Sequence, residues 1–503
     1  MAASSILGLH SHNFSNNNER LISVWEKTPM VYNGTGWIRG GTLTDGLDAF
    51  MASFIDRVFL VNGTDPNFEY DGVDWRSNVN AYKSPIAKYI IAHSSTTRLF
   101  LWNIKIGGTS YPSRAWFSDL PNNNTLTWGL EYGSDLVTTA DSATVTSSGA
   151  GFQSRNIKIA DPFFITSGAN NRNKPYTVQS VDSDTQVTLT ENMISSGTGG
   201  SYWTGSNWFD VGTDDGSGGS GVGLASNEII FFKKNSVHRY NVEGETLRQI
   251  KDVPGTTSPK SIINWGGYCY WYHPSGIWRT SGGVAENISN PLDDIIEGVT
   301  TANQDDIIGW KNEIENTVSF FLGDVTLRDG ETISKCVVSL DLNSNIWAPR
   351  AYDRNIKVAT NWLHSNVSEV YMGDDSSGVF QLDTGTQFKA SDIPFGLELY
   401  PIFPAGEEAI VNFRRIRAYI DNGPDVQILY KLIYKPKQGV EGVWINDDDW
   451  RSLEGTQTGE RVDWYFSTDA RASGVKLKLV ESGGDESFLI EKLTIYYSNA
   501  SNL

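Results

Sequence analysis

Cysteine is scarce: Cys269 and Cys336 are the only two in 503 residues. They are too few for a disulfide framework and too far apart for a zinc module, so both read as small buried apolar residues. No apolar run approaches the ~18 residues of a membrane-spanning helix. The opening MAASSILGLHSH lacks a basic stretch followed by a long apolar core, and it does not read as a signal peptide. Basic residues are also in deficit, with 40 Lys and Arg against 59 Asp and Glu and a net charge of −19. A nucleic-acid groove needs clustered Lys and Arg to displace counterions from phosphate, which argues against such a groove as the main surface. Helix-period stretches are nearly absent. One exception places Leu292, Ile295, Ile296 and Val299 at helical spacing, behind Asn290 as N-cap and Pro291 in the first turn.

Motifs that carry chemistry are missing as well. Apart from His10 and His12, the histidines (His93, His238, His273 and His364) do not fall at zinc spacings. The acidic clusters Asp214-Asp215, Asp374-Asp375 and Asp447 to Asp449 lack the alternating Asp-x-Asx-x-Asx-Gly frame with its distal Glu, so they read as solvated turns rather than calcium ligands. There is no Gly-x-Ser-x-Gly elbow, and Gly216 to Gly223 lacks the Lys-Ser/Thr end and following helix of a phosphate loop. Carboxylate pairs for glycoside hydrolysis are free to pick among 59 acidic residues and so prove nothing. Trp203, Trp208 and Trp444 are candidates for stacking on sugars. The expectation is a chain with no catalytic residue, no metal ligand and no cofactor, and therefore not an enzyme.

What is abundant is glycine (49) and aromatic side chains, with Trp 17, Tyr 21 and Phe 22. The stretch Ile262 to Gly283 is the pattern in miniature. Tyr268 to His273 and Gly276 to Thr280 read as strands around a Pro274-Ser275-Gly276 turn, with more apolar surface than a lone hairpin can bury. Glu228 to Val242 and Ser368 to Leu382 repeat the plan. Tyr32-Asn-Gly-Thr-Gly-Trp37 and Tyr70-Asp-Gly-Val-Asp-Trp75 share a frame 38 residues apart. About four short strands per roughly 40 to 50 residues is the sequence pattern of β-propeller blades. The expected fold is therefore all-β, a β-propeller of about six to seven blades with an inserted small β-domain and a C-terminal β-sandwich. Trp37, Trp75, Trp265, Trp278 and Phe380 are the expected blade core.

Residues 1–20, polar and Asn-rich, read as an N-terminal arm, mobile or forming a first strand. Residues 21–131 make the first part of the propeller. Residues 132–208 are poor in Trp over most of their length and rich in Ser, Thr, Asn and Gly. They read as the inserted domain, with Val187 and Leu189 alternating against Thr188 and Thr190 as in a half-buried hairpin. Residues 209–388 resume the propeller. In residues 389–503, Val475, Leu477 and Leu479 alternate with Lys476 and Lys478, as in a sheet with one packed and one wet face. The run Asp210 to Gly223 reads as the most flexible of the chain.

Arg114-Ala-Trp-Phe-Ser-Asp-Leu-Pro121, Asp214-Asp215-Gly216, Ile229 to Tyr240, and Gly276-Ile-Trp-Arg followed by Ala285-Glu-Asn-Ile-Ser together resemble the β-propeller proteins of tailed-phage tails, of the nozzle, tail-tubular or tail-stabilisation type. The resemblance covers most of residues 20 to 385. It implies a structural virion protein in the tail, self-assembled as a hexameric ring. Such a nozzle or hub surrounds the DNA channel and seals or guides genome exit. It also implies contacts with other tail or adaptor proteins, passing double-stranded DNA without specific binding, and no membrane partner. Acidic channel walls would repel phosphate and let DNA slide. Asp214, Asp215, Gly216, Gly218, Gly219, Asp374 and Asp375 are the candidate channel or gate residues. A carbohydrate- or receptor-binding adhesin module and a secreted glycoside hydrolase are the alternatives.

Overall fold

The computed structural model describes residues 5–499 apart from 17, 78–83, 107–108, 122–125, 156, 169–175, 206, 214–216, 353, 365–366, 377, 383–386, 389–390, 393–395, 400, 407–408, 422–425, 435–442, 446–449, 459–460, 468–469 and 482–488. The chain divides into two compact units, Met1–Leu382 and Asp383–Leu503. Strand dominates both. The expected helix is reduced to a 3-10 turn, Asn290–Leu292, and five α-helical residues, Asp293–Glu297. Its N-cap is Ser289 rather than Asn290. The Ser289 hydroxyl accepts the Ile277 amide instead of capping the helix.

Among the described residues the first unit contains, besides a closed barrel, seven open antiparallel sheets, each running in chain order. Their first strands are Ile6–Asn13, Phe50–Phe54, Ile86–His93, Gly219–Ala225, Ile263–Trp265, Ile308–Asn312 and Ile356–His364. Each first strand lies against the first strand of the next sheet, and Ile356–His364 returns to Ile6–Asn13. Six sheets have four strands and the seventh has three. The N-terminal segment is therefore a paired strand over Ile6–Asn13, not a mobile arm.

Side-chain alternation explains why the strands are continuously apolar. In Glu228–Lys233, Ile229 and Phe231 join Phe100 and Trp102 of the third sheet, while Ile230 and Phe232 join Cys269 and Trp271 of the fifth. In Tyr268–His273, Cys269 and Trp271 face back toward the fourth sheet, and Tyr270 and Tyr272 face forward to Val318 and Phe320 of the sixth. A sheet covered on both faces loses the apolar-polar alternation of a half-exposed one. Both cysteines are buried, and burial pushes their thiols up, to about 12 for Cys336.

The repeated Tyr-Asx-Gly-x-x-Trp frame lands on equivalent turns of the first two sheets. Tyr32 pairs with Trp37 and Tyr70 with Trp75. In each turn the Asx carboxyl or amide oxygen accepts two backbone N–H groups, from Thr35 and Gly36 to Asn33 and from Val73 and Asp74 to Asp71. In each, the glycine sits at positive φ, 94° at Gly34 and 95° at Gly72, and its carbonyl accepts the tyrosine hydroxyl. Gly is needed there because a Cβ disfavours the left-handed region.

Between the third strand of the third sheet, Thr109–Phe117, and its partner Trp208–Asp210 lies a closed six-stranded barrel. Its strands are Leu130–Thr138, Thr144–Thr146, Pro162–Ser167, Tyr176–Ser183, Gln186–Leu189 and Gly197–Gly205. Val187 and Leu189 are buried in its core with Phe152, Phe163 and Tyr202. Trp203 is buried outside that core, stacked on Phe164 at 3.9 Å and clustered with Trp116 and Trp128 of the main body. It is not available to stack on a sugar.

Among its described residues the second unit contains two five-stranded sheets and a short hairpin, Gln387–Phe388 with Ser391–Asp392. One sheet is built around Val426–Tyr434 and Gly474–Glu481, the other around Val411–Asp421, Arg461–Tyr465 and Leu489–Asn499. Ile428, Tyr430, Val475 and Leu477 from the first meet Ile416, Ala418, Val462 and Trp464 from the second in one core. Lys476 and Lys478 alternate outward, as their spacing implied, and gather with Lys431 over the Trp450 ring at 4.9 to 5.9 Å.

Candidate functional site

The candidate gate residues disperse. Asp214, Asp215 and Gly216, like Asp447 to Asp449, lie outside the described residues. Gly218 and Gly219 are packing glycines rather than gate residues: a Cβ on Gly218 would stand 2.9 Å from Pro112 Cβ, and one on Gly219 would stand 2.2 Å from Trp102 Nε1. The second half of the supposed flexible run is in fact the strand Gly219–Ala225, where glycine lets the neighbouring sheets approach. Its other end, Asp210, is held by both Arg114 nitrogens Nε and Nη2 at 2.8 and 2.9 Å, and that guanidinium stacks 3.7 Å over Trp208.

Asp374 is also unsuited to a channel wall. It is buried, accepts Arg354 Nη1 at 2.8 Å, and takes the Ser376 and Gly378 amides and the Ser376 hydroxyl. Burial pushes its carboxyl up, but these hydrogen bonds outweigh burial and hold it below the usual range. Asp375 beside it is exposed and accepts the Asn355 amide at 2.8 Å.

The expected blade-core residues flank the cores rather than fill them, and Trp75, Trp265, Trp278 and Phe380 pack against core clusters. Trp37, Trp75, Trp265, Trp278 and Phe380 are all only half-buried. Trp37 and Trp75 begin the outermost strands of their sheets. Among the described residues of the first unit the most deeply buried tryptophans are Trp102, Trp116, Trp128, Trp203 and Trp271. All but Trp128 lie in strands whose neighbours are buried on both faces, a context that residue spacing alone did not distinguish.

Other ionisable groups are structural. Arg57 meets the buried Glu69 at 3.0 Å, with burial pushing the Glu69 carboxyl up. His10, on the first strand, is pushed down to about 4 by burial and by His12, and its Nε2 lies 2.8 Å from Ser53 Oγ. His93 is buried between Thr96 and the Asn227 carbonyl. Among the described residues no group of three or more His, Cys, Asp or Glu is placed to hold a metal ion.

One surface gathers charge and aromatic rings without a structural need for either. On the outer face of the second unit's Val411–Asp421 sheet, three strands place their outward residues in three rows. Arg415 is flanked by Tyr465 and Tyr496, Arg417 by Asp463 and Thr494, and Tyr419 by Arg461 and Lys492. The alternate residues Ile416, Ala418, Val462 and Trp464 fill the core, which locks this register because a one-residue slip would bury the arginines. Asp463 receives Arg417 in a two-pronged pair, Nε at 2.7 Å and Nη2 at 3.1 Å. Arg415 Nε stands 3.7 Å and Arg461 Nε 3.4 Å from the same carboxylate, which Arg417 and its neighbours hold below the usual range. Arg415 lies 4.2 Å over the Tyr496 ring. No sequence motif announced this face, although the Arg415-Ile-Arg-Ala-Tyr419 alternation carries its central column.

No protein-family model matches the sequence. No curated protein matches it either. Among solved structures, the chain is similar to the endosialidase of phage phi92, with 11% identity and a TM-score of 0.28, over 74% of this chain and 62% of that one. It spans less than two thirds of that chain. It is also similar to BBS1N solved in complex with ARL6DN, with 9% identity and a TM-score of 0.29 over 75% and 91% of the two chains. A third likeness is to the AfRom2 CNH domain, with 7% identity and a TM-score of 0.31 over 76% and 95%. At these values the likenesses are loose.

Proposed function

We propose that this chain is a non-enzymatic structural protein of a bacteriophage tail, with its first unit a seven-bladed β-propeller, the barrel inserted in the third blade and the second unit a β-sandwich. The observation that carries this reading is the cyclic order of the seven first strands, returned from Ile356–His364 to Ile6–Asn13. A propeller closed radially has only short protected edges, and rigid wedges of that kind can join head to tail into a ring. The residues of Arg114 to Pro121, Ile229 to Tyr240 and Gly276 to Arg279 that resemble the tail propeller proteins support placing that ring at the tail channel. In this reading the ring is a nozzle or hub, hexameric as in those proteins, bound to neighbouring tail proteins. The net charge of −19 keeps passing DNA from adhering. Asp375, exposed on a turn, remains a candidate for the acidic wall.

Native mass spectrometry and negative-stain imaging of the purified full chain test the proposal. The expected result is a closed ring of 55.6 kDa subunits with a central opening. A strictly monomeric species at tens of micromolar and physiological salt counts against the ring.

A further inference from the structure

We infer that the outer face formed by Arg415, Arg417, Tyr419, Arg461, Tyr465 and Tyr496 binds an anionic polysaccharide that carries carboxylates on its sugar rings. The first ground is charge. Arg415, Arg417, Arg461 and Lys492 bring four positive charges to these three rows, and Asp463 is the one acidic residue in them. The single carboxylate takes a two-pronged pair from Arg417 and leaves Arg415 and Arg461 only longer approaches, 3.7 and 3.4 Å. Arg461 Nε, buried, lacks a hydrogen-bond partner even though Asp463 Oδ2 is 3.4 Å away. Such a basic excess on a chain of net charge −19 is a local departure that a solvated sheet face does not require. It is complementary to an anion, and guanidinium groups present their donors in the fork that fits a carboxylate.

The second ground is shape. Tyr419, Tyr465 and Tyr496 are 37%, 49% and 37% exposed on a face whose other side is a closed core. Flat rings beside guanidinium donors suit a ligand with apolar ring faces and polar edges. Neighbouring strands are ~4.8 Å apart and same-face residues along a strand ~6.8 Å, so the three rows form a lattice at about the scale of successive sugar rings. A duplex nucleic acid fits less well. It carries one charge per ~1.7 Å, and the field of a strongly acidic chain opposes so dense a polyanion more than a polysaccharide with one carboxylate per sugar.

The test uses the full chain and calorimetric titration with an oligogalacturonate, a malto-oligosaccharide of equal length, inorganic polyphosphate and a short DNA duplex. The expected result is binding of the oligogalacturonate, at least tenfold weaker in Arg461→Gln and in Tyr465→Ala, falling with added salt, and no binding of the neutral sugar. Tyr465 is exposed and Arg461 partly so, and an unchanged melting temperature shows that the variants remain folded. Arg415→Lys separates fork recognition from bare charge and is expected to weaken binding severalfold. The inference is overturned by an absence of oligogalacturonate binding or by equal affinity for polyphosphate or DNA. Affinity that is unchanged in the Tyr465→Ala and Arg461→Gln variants overturns it too. Self-association that Tyr465→Ala abolishes would assign the face to a second copy of the chain and overturn it as well.

Discussion

Gly373 lies so close to Ile6 that a Cβ built on the glycine would stand 2.6 Å from the Ile6 Cβ. The contact joins the last sheet of the first unit to its first strand, 367 positions apart in sequence. Gly373→Val inserts branched carbon into this seam, and overpacking of this kind costs about 1–3 kcal/mol. The expected outcome is a lower urea midpoint and faster proteolysis within residues 1–13, partly reversed by Ile6→Ala in the same chain. A variant that resists urea and protease like the parent would mean that the first strand does not close on the last sheet.

Trp271 and Trp278 are cross-strand partners with different surroundings. Trp271 is 0% exposed between the fourth and fifth sheets and donates its indole N–H to the Pro254 carbonyl at 3.2 Å. Trp278 is half-buried, with its indole N–H 3.4 Å from Ser275 Oγ. Trp271→Ala is expected to cost about 3–5 kcal/mol and Trp278→Ala clearly less. Urea unfolding of the two variants side by side checks the order, and a reversal would put the fifth sheet out of register.

Asp161 in the barrel is raised from 3.8 to about 6, because burial penalises its charge more than the Lys158 backbone N–H and ammonium favour it. The unfolded chain ionises this group at lower pH than the folded one. Its contribution to stability is therefore full below pH ~4 and is lost as pH rises through about 6. Asp161→Asn keeps an acceptor for the Lys158 amide and removes the charge. Thermal melts at pH 7.5 and pH 4 are expected to show the variant more stable than the parent at the higher pH, by up to about 2–3 kcal/mol, with the gain shrinking at the lower. A gain independent of pH would show that Asp161 ionises normally.

Arg354 and Asp374 form a buried pair, with the guanidinium also 3.9 Å over the Phe380 ring. Removing the cation leaves a buried carboxylate with only local donors, a change that typically costs about 3–5 kcal/mol. Arg354→Met is expected to fall in that range and Arg354→Lys to lose less. The Asp374 carboxyl is held below its ordinary value, so its contribution is present above the unfolded pKa and is lost as pH falls through the folded one. In Arg354→Met this acid-side loss of stability should be smaller than in the parent. Unfolding free energies from pH 3 to pH 7 measure both effects, and an acid limb identical to the parent would remove the pair from the account.

The strand-turn-strand of Tyr268 to Thr280, the repeated frame from Tyr32 to Trp37 and from Tyr70 to Trp75, and the in-out alternation around Val187 and Val475 were all legible in the sequence. They depend on turn chemistry and on residue period within a few positions. The sequence alone also determined that strand, not helix, is the dominant regular structure. It did not separate Trp271 from Trp278, because both are aromatic strand residues and only the packing of the fourth sheet against the fifth makes one of them core. Gly218 and Gly219 looked flexible in a run of Gly and Ser, and only the approach of Trp102 and Pro112 turned them into packing positions. Asp374 looked like a solvated turn acid until Arg354, 20 residues away, was folded onto it. The face of Arg415, Arg417 and Arg461 around Asp463 was illegible for the same reason. Its residues come from three strands that only sheet registration brings side by side, and registration is set by the shared core beneath them.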